Sequence, residues 1–467
     1  MKCSCMAALS SRWHRLLPAW WLAATLWTGA GTASAGERPA PDLAAGEAAY
    51  QQSCARCHGV TGKGDGVDAK RFYPRPRDLA SGIYKFRSTA SGTPPTDEDL
   101  FRTVTYGLPG SNMPDWQHLD EATRWQIVYY LKSLSPVFEQ TPPAPLTLSP
   151  DPGRAHDPAK GKTLYTQLGC VACHGEQGRA NGPSAAGLVD DWGMPMRPAN
   201  LTLGWNYRGG AAPRDIAMRL WAGIDGAGMP SYAEAIPPED AWQLAYYVAS
   251  LQEPAHWRII VQAARASGEL PASADDPGWA SAEQGDILMR NVVTPEGAWA
   301  QPPTIRMVSL RALHNDEAVA LRLAWDDPTQ DAEGTGDRLA VVMKPADAYG
   351  DAVTLQAWPY KGAPSLDFAV WSAAASAAIE TLAADVTELP AASGAALPGR
   401  AAYQNGRWTL VIQRPLHPGI DGGAEIHPDG LTSMAVVVWD GGNPDARAIS
   451  TWIDLSLGDP KQRASHH

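Results

Sequence analysis

The sequence predicts a multidomain chain, two all-α domains followed by a mainly-β sandwich domain, and three observations lead there. An internal repeat of 116 residues runs through the first 250 positions. Two identically built cysteine–histidine motifs occupy equivalent places in that repeat, Cys54-Ala55-Arg56-Cys57-His58 and Cys170-Val171-Ala172-Cys173-His174. Beyond about Arg258 the motifs stop and short runs alternate apolar and small or polar residues with period two, the signature of strands.

In chain order, Lys2, Arg12 and Arg15 precede an apolar stretch from Leu16 to Trp27, and Ala33-Ser34-Ala35 matches a small-residue cleavage pattern. Residues 1–35 are therefore expected to be a secretory signal peptide. Twelve apolar residues at 1.5 Å per residue are too short for a hydrocarbon core of about 30 Å, and no later stretch is long enough. The mature chain is expected in the periplasm with no transmembrane segment after signal cleavage. The net charge of −12 becomes −15 once three basic residues are removed, which argues against nucleic acid and for basic patches on other redox proteins as partners.

The cysteine count is informative. Of six Cys, Cys3 and Cys5 lie in the expected signal, and the two motifs use the other four. Thiols three residues apart form thioethers to the two vinyl groups of one porphyrin, and the adjacent imidazole is held under the iron. Zinc would need two such pairs brought together, and neither zinc nor a thioredoxin-like site explains the following His. Two covalently bound haem c groups are expected, tethered by Cys54, Cys57, Cys170 and Cys173, with His58 and His174 as proximal metal ligands.

The repeat supplies the opposite ligands. Met229 lies 116 residues after Met113, as Cys170 does after Cys54, and each Met precedes a proline that favours extended chain. Met113 and Met229 are thus the expected distal ligands; Met194, Met196 and His118 are rivals outside the common register. Arg75-Pro76-Arg77-Asp78-Leu79 matches Arg197-Pro198-Ala199-Asn200-Leu201. Guanidinium suits carboxylate, so Arg75, Arg77, Arg87, Arg197 and Arg208 are candidate propionate partners. Trp125-Gln126-Ile127-Val128-Tyr129-Tyr130-Leu131 matches Trp242-Gln243-Leu244-Ala245-Tyr246-Tyr247-Val248, and Trp125, Val128 and Tyr129 share a helical face.

These features resemble the class I cytochrome c fold, in which a closing helix packs on an opening helix, here expected from about Gly46 to Cys54 and from about Gly161 to Cys170. The domains read as 40–136 and 159–253, joined by a proline-rich, semi-rigid linker at 137–158.

In the last 200 residues, Val319, Leu321, Leu323 and Trp325 alternate with Ala320, Arg322 and Ala324 as in a half-buried strand. Trp408–Ile412 and Met434–Trp439 are further strands, and the alanine-rich run Ser372–Ala384 is expected to be an inserted helix. Ala324-Trp325-Asp326-Asp327-Pro328-Thr329, Val370-Trp371, Arg414-Pro415-Leu416, Val438-Trp439-Asp440-Gly441 and Ile449-Ser450-Thr451-Trp452 together resemble the haem-binding domain of ethylbenzene dehydrogenase γ subunits, over residues 275–458. That resemblance implies a sandwich holding one haem b through Met and Lys, serving a molybdenum enzyme with iron–sulfur subunits. The segment aligned with the family's methionine, Tyr360-Lys361-Gly362-Ala363, has no Met, and Arg447 stands in place of Lys. Met307, Met343, Lys344 and Lys361 are the remaining candidates.

Met/His coordination fills both axial positions and favours electron transfer over substrate chemistry. The expected function is a dihaem cytochrome c, a subunit or direct partner of a molybdenum-dependent oxidoreductase or of soluble cytochromes. The alternatives are a dihaem dehydrogenase for a small inorganic donor, and a cytochrome carrying a ligand-binding or docking sandwich module.

Overall fold

The computed structural model describes residues 38–291, 302–334, 336–344, 366–383, 394–442 and 447–458. The expected signal peptide, Tyr360-Lys361-Gly362-Ala363 and Lys361's surroundings lie outside the described residues.

The helical half repeats one plan twice. Helices α1 (Leu43–Ser53), α2 (Ala55–His58), α3 (Asp97–Tyr106), α4 (Glu121–Ser133) and α5 (Val137–Gln140) are followed by α6 (Pro158–Gln167), α7 (Cys170–His174), α8 (Pro213–Ala222) and α9 (Pro238–Ser250). Asp42 and Asp157 cap α1 and α6 by accepting backbone N–H bonds, so both helices start a few residues earlier than the glycine positions suggested. Gly46 and Gly161 then lie directly against the backbone carbonyls of Gln126 and Gln243 on the closing helices α4 and α9. A side chain at either glycine would separate the helices. Gly46→Ala is expected to cost about 1–3 kcal/mol, as overpacking does, measured by denaturant unfolding. Tyr130 joins this seam against Tyr50, whereas Trp125 turns to α3 and stacks on Phe101 at 4.1 Å.

The linker is more tightly held than a spacer would be. Leu146 N–H donates to Ser88 O (2.8 Å) and Ala90 N–H to Ala144 O (2.9 Å), while the Trp242 indole N–H donates to Ser149 O (2.9 Å). The proline-rich segment thus bonds to both helical units. They also meet directly: the Arg87 guanidinium, fully buried, pairs with Asp225 at 2.8 Å and donates to Ala222 O at 2.9 Å, and Arg102 pairs with Asp215 at 2.8 Å.

The strands are β1 (Ile260–Gln262), β2 (Ala264–Arg265), β3 (Gly285–Asn291), β4 (Met307–His314), β5 (Ala318–Asp326), β6 (Arg338–Met343), β7 (Leu366–Ser372), β8 (Ala377–Ala383), β9 (Ala395–Leu397), β10 (Gly399–Gln404), β11 (Arg407–Pro415), β12 (Leu431–Trp439), β13 (Ala448–Ser450) and β14 (Ile453–Ser456). They pair in the order β10-β11-β5-β4-β3-β13-β12-β6-β7-β8-β9, mostly antiparallel, with β3 linking the two faces of a near-barrel sandwich. Val319, Leu321, Leu323 and Trp325 all point into the inter-sheet core, at 0–1 % exposure.

Two expectations are corrected. The strand 318–326 is buried on both faces, because the chain from Leu270 to Ala282 covers the other side: Ala320 packs with Trp279, and the Arg322 side chain donates to Ala274 O (3.0 Å). The Ala-rich run is no helix. Among its described residues, Ser372 ends β7, a turn follows, and Ala377–Ala383 form β8, paired antiparallel with β7 from Leu366↔Ala383 to Ser372↔Ala377. Alanine's helix propensity is a weak preference, and a full ladder with β7 and burial of Glu380 against Arg414 override it.

Candidate cofactor site

One cavity of about 520 Å³ is lined by both cysteine–histidine motifs and both Met-Pro loops. Each motif forms a short helix, α2 and α7, directly after the opening helix. Burial of the Cys54 thiol raises its pKa to about 12 and moves Cys170 in the same direction, so these are protonated thiols and poor thiolate ligands. None of the four is in a disulfide.

The two imidazoles are held alike. His58 Nδ1–H donates to Arg77 O (3.0 Å) and His174 Nδ1–H to Ala199 O (2.8 Å), the same position of the shared Arg-Pro segment. A carbonyl can only accept, so Nδ1 carries the proton and Nε2 is the lone-pair nitrogen. Burial depresses both pKa values, which keeps the rings neutral and able to bind iron. Behind each motif a tyrosine fixes the turn: Tyr50 OH donates to Gly59 O (2.8 Å) and Tyr165 OH to Gly175 O (2.7 Å).

The methionine loops also repeat. Gly107 and Gly223 adopt φ of +64° and +69° at the ends of α3 and α8. A Cβ on Gly107 would come within 2.6 Å of Met113 O, and one on Gly223 within 2.6 Å of Ser231 N. Leu108 N–H donates to Met113 O (3.1 Å) and Ile224 N–H to Met229 O (3.0 Å), closing each loop over the cavity. Only glycine permits that turn and approach. His118 lies outside the cavity lining, beside Trp116, and is exposed. Met194 and Met196 do line the cavity, on a small hairpin that the second unit carries between its histidine and its Arg-Pro segment.

The cavity wall fits a dianionic, mostly apolar group. Arg75, Arg77, Arg197 and Arg208 line it, as do Lys85, Arg219 and Arg306, which the sequence did not single out. Burial lowers Lys85 to about 8 and Arg77, Arg219 and Arg306 to about 10, because a low-dielectric wall disfavours the charged form. Trp116 Nε1 and Arg306 Nε line the same cavity as buried donors without a protein acceptor. Arg87 is a correction: it lies outside the lining, locked in the contact between the helical units. Arg306 comes from β4's approach and bonds Gly110 O (3.2 Å), so the sandwich supplies part of this wall. No signal in the first 250 residues could have found it.

Among the described residues, the candidates for a b-type site are not brought together. Met343 is in the inter-sheet core, and Lys344, on the opposite face of the chain, lies against the Trp452 ring at 4.4 Å. Met307 is buried next to its β3 partner Leu288.

Family models match a cytochrome c-type domain in each helical unit. Residues 41–131 match the family model for cytochrome c oxidase, cbb3-type, subunit III, and residues 158–252 match that for cytochrome c. The cbb3-type cytochrome c oxidase subunit CcoP of Azospirillum sp. (strain B510) is 28 % identical over 219 residues, 45 % of this chain. The match spans 62 % of that protein's length. The CcoP of Azospirillum brasilense is also 28 % identical, over 215 residues. Among solved structures, a chain of a reducing HAO-like protein complex from Kuenenia stuttgartiensis shares 41 % identity, with a TM-score of 0.43, over 46 % of this chain and all of that one. Among the described residues no helix is long and apolar enough to cross a membrane.

Proposed function

We propose that this chain, which carries two cytochrome c-type domains with one C-x-x-C-H haem c site in each, is a periplasmic electron-transfer protein whose two sites work as a pair. The observation that carries the reading is the single cavity that both motifs and both Met-Pro loops line. When bound, haem supplies one-electron redox chemistry there.

The chain's own residues do the rest. Cys54, Cys57, Cys170 and Cys173 tether covalently. His58 and His174, oriented by their carbonyl bonds, would hold the iron through Nε2, and Met113 and Met229, which line the same cavity, would hold it through their thioethers. Arg75, Arg77, Arg197, Arg208 and Arg306 neutralise carboxylates, and the tyrosines, leucines and Pro residues exclude water. A haem held by His and Met on this chain would leave no position for a substrate, which favours transfer over catalysis.

The test is intact mass and pyridine haemochrome of the exported protein, with a redox titration. Two covalent haems per chain, two reversible one-electron steps and no binding of carbon monoxide by the reduced protein are expected. A colourless product, or ready carbon monoxide binding, would overturn it. Single Cys170→Ala and Cys54→Ala variants are each expected to lose a thioether from one site while the other keeps its spectrum, read by haem-peptide mass.

The finer reading is that the chain serves a redox complex, a molybdenum-dependent oxidoreductase by the sequence resemblance of residues 275–458, with the sandwich as the docking module. Affinity purification from the native host tests it: a molybdenum subunit with an iron–sulfur subunit supports it, and a terminal oxidase in their place refutes it.

A further inference from the structure

We propose that Asp327, Asp337 and Asp440 form a calcium site at one end of the sandwich. Asp327 follows β5, Asp337 precedes β6 and Asp440 follows β12, so three strand ends from the two sheets converge. Their carboxylate oxygens lie within 4.8 Å of one another, and the residues are 0–1 % exposed.

The hydrogen bonds show what the cluster lacks. Asp337 is satisfied, accepting from Gly441 N–H (2.8 Å), Asp331 N–H (2.8 Å) and the Trp408 indole N–H (3.0 Å). Asp327 accepts through Oδ1 from Thr329 N–H (3.1 Å), and Asp440 through Oδ1 from Gly442 N–H (2.9 Å). Asp327 Oδ2 and Asp440 Oδ2 are buried with no partner. A buried carboxylate oxygen that faces other carboxylates and accepts nothing is costly unless a cation meets it.

The donor set identifies the cation. Every ligand is a hard oxygen, and zinc's preferred His and Cys are missing from the cluster. Asp331 and Thr329, bonded to each other at 2.6 Å, sit beside the three: a Cβ on Gly442 would be 2.9 Å from Asp331 Oδ2, 3.0 Å from Thr329 Oγ1 and 3.3 Å from Asp440 Oδ1. Calcium takes 6–8 oxygens in adaptable geometry, whereas magnesium keeps several waters, which suits this enclosed cage less well.

The position gives the site a role. Asp326, one residue before Asp327, pairs with Arg179 (3.1 Å) and Arg407 (2.7 Å) and accepts from Asn200 (2.7 Å) and Thr202 (3.1 Å). A cation at Asp327 would therefore pin both sheets at the same strand end that joins the sandwich to the second cytochrome domain.

The test uses the haem-loaded full chain, stripped with EDTA, then equilibrium dialysis against radiolabelled calcium and thermal unfolding with and without calcium. One saturable site per chain is expected, and a Tm higher by roughly 5–10 °C at a hundredfold excess over Kd. Asp327→Asn and Asp440→Asn should each abolish binding and the calcium shift. Their Tm in EDTA should equal or exceed that of the parent, because removing a charge relieves an uncompensated cluster. This opposite sign distinguishes a lost site from a misfolded variant. No saturable calcium binding at millimolar concentration, binding that survives both substitutions, or stabilisation by magnesium alone would each overturn the proposal.

Discussion

Replacing Met113 by alanine is expected to lower the midpoint potential of the first site by on the order of 0.1–0.3 V, within the ~0.8 V that axial ligands span. The near-infrared thioether-to-iron band of that site should vanish, and the reduced protein should begin to bind carbon monoxide. His118 does not replace the thioether, since it is exposed and outside the cavity. The second site should respond differently. Met194 and Met196 line the same cavity as Met229, so Met229→Ala alone is expected to give a smaller shift than Met229→Ala combined with Met194→Leu and Met196→Leu. Potentiometric titration of the three variants decides it. Unchanged potentials in Met113→Ala and in the triple variant would remove both methionines from the ligand set.

Arg87→Ala is expected to have the largest effect on stability. Its side chain is fully buried, it pairs with Asp225 at 2.8 Å, and it donates to Ala222 O and Tyr84 O. Truncation strands those acceptors in the contact between the helical units, and breaking a buried pair on one side typically costs about 3–5 kcal/mol. Asp225 is only partly covered and also accepts from Ser91 Oγ and Gly92 N–H, which moderates its share of the loss. Chemical unfolding followed in the haem absorption should show the loss and, because the two units lose a shared anchor, a broader transition. A change below about 1 kcal/mol would mean that the units hold together through other contacts.

Much of the site was legible because its chemistry is written locally. A five-residue motif needs only one helical turn to present two thiols and an imidazole, and the 116-residue register carried the methionines with it. What lay outside that register was read less well. Arg87 was taken for a cavity residue because charge and proximity in sequence do not reveal which way a buried guanidinium turns. Arg219 and Arg306 were missed for the converse reason: each lines the cavity while bonding a residue of another unit, Arg219 the Lys85 carbonyl and Arg306 the Gly110 carbonyl. The run Ser372–Ala384 was misread because alanine says little about whether a neighbouring strand will offer a ladder.

The sequence by itself determined that this chain holds two cytochrome c domains and a strand-rich third part, since the attachment motif and the period-two alternation of residue types are short-range properties of the chain. Only the tertiary structure decided that the two sites open into one cavity, that the sandwich contributes Arg306 to its wall, and that three aspartates from distant strands meet. Those facts depend on the packing of surfaces more than a hundred residues apart, and burial and electrostatic neighbourhood exist only once that packing has formed.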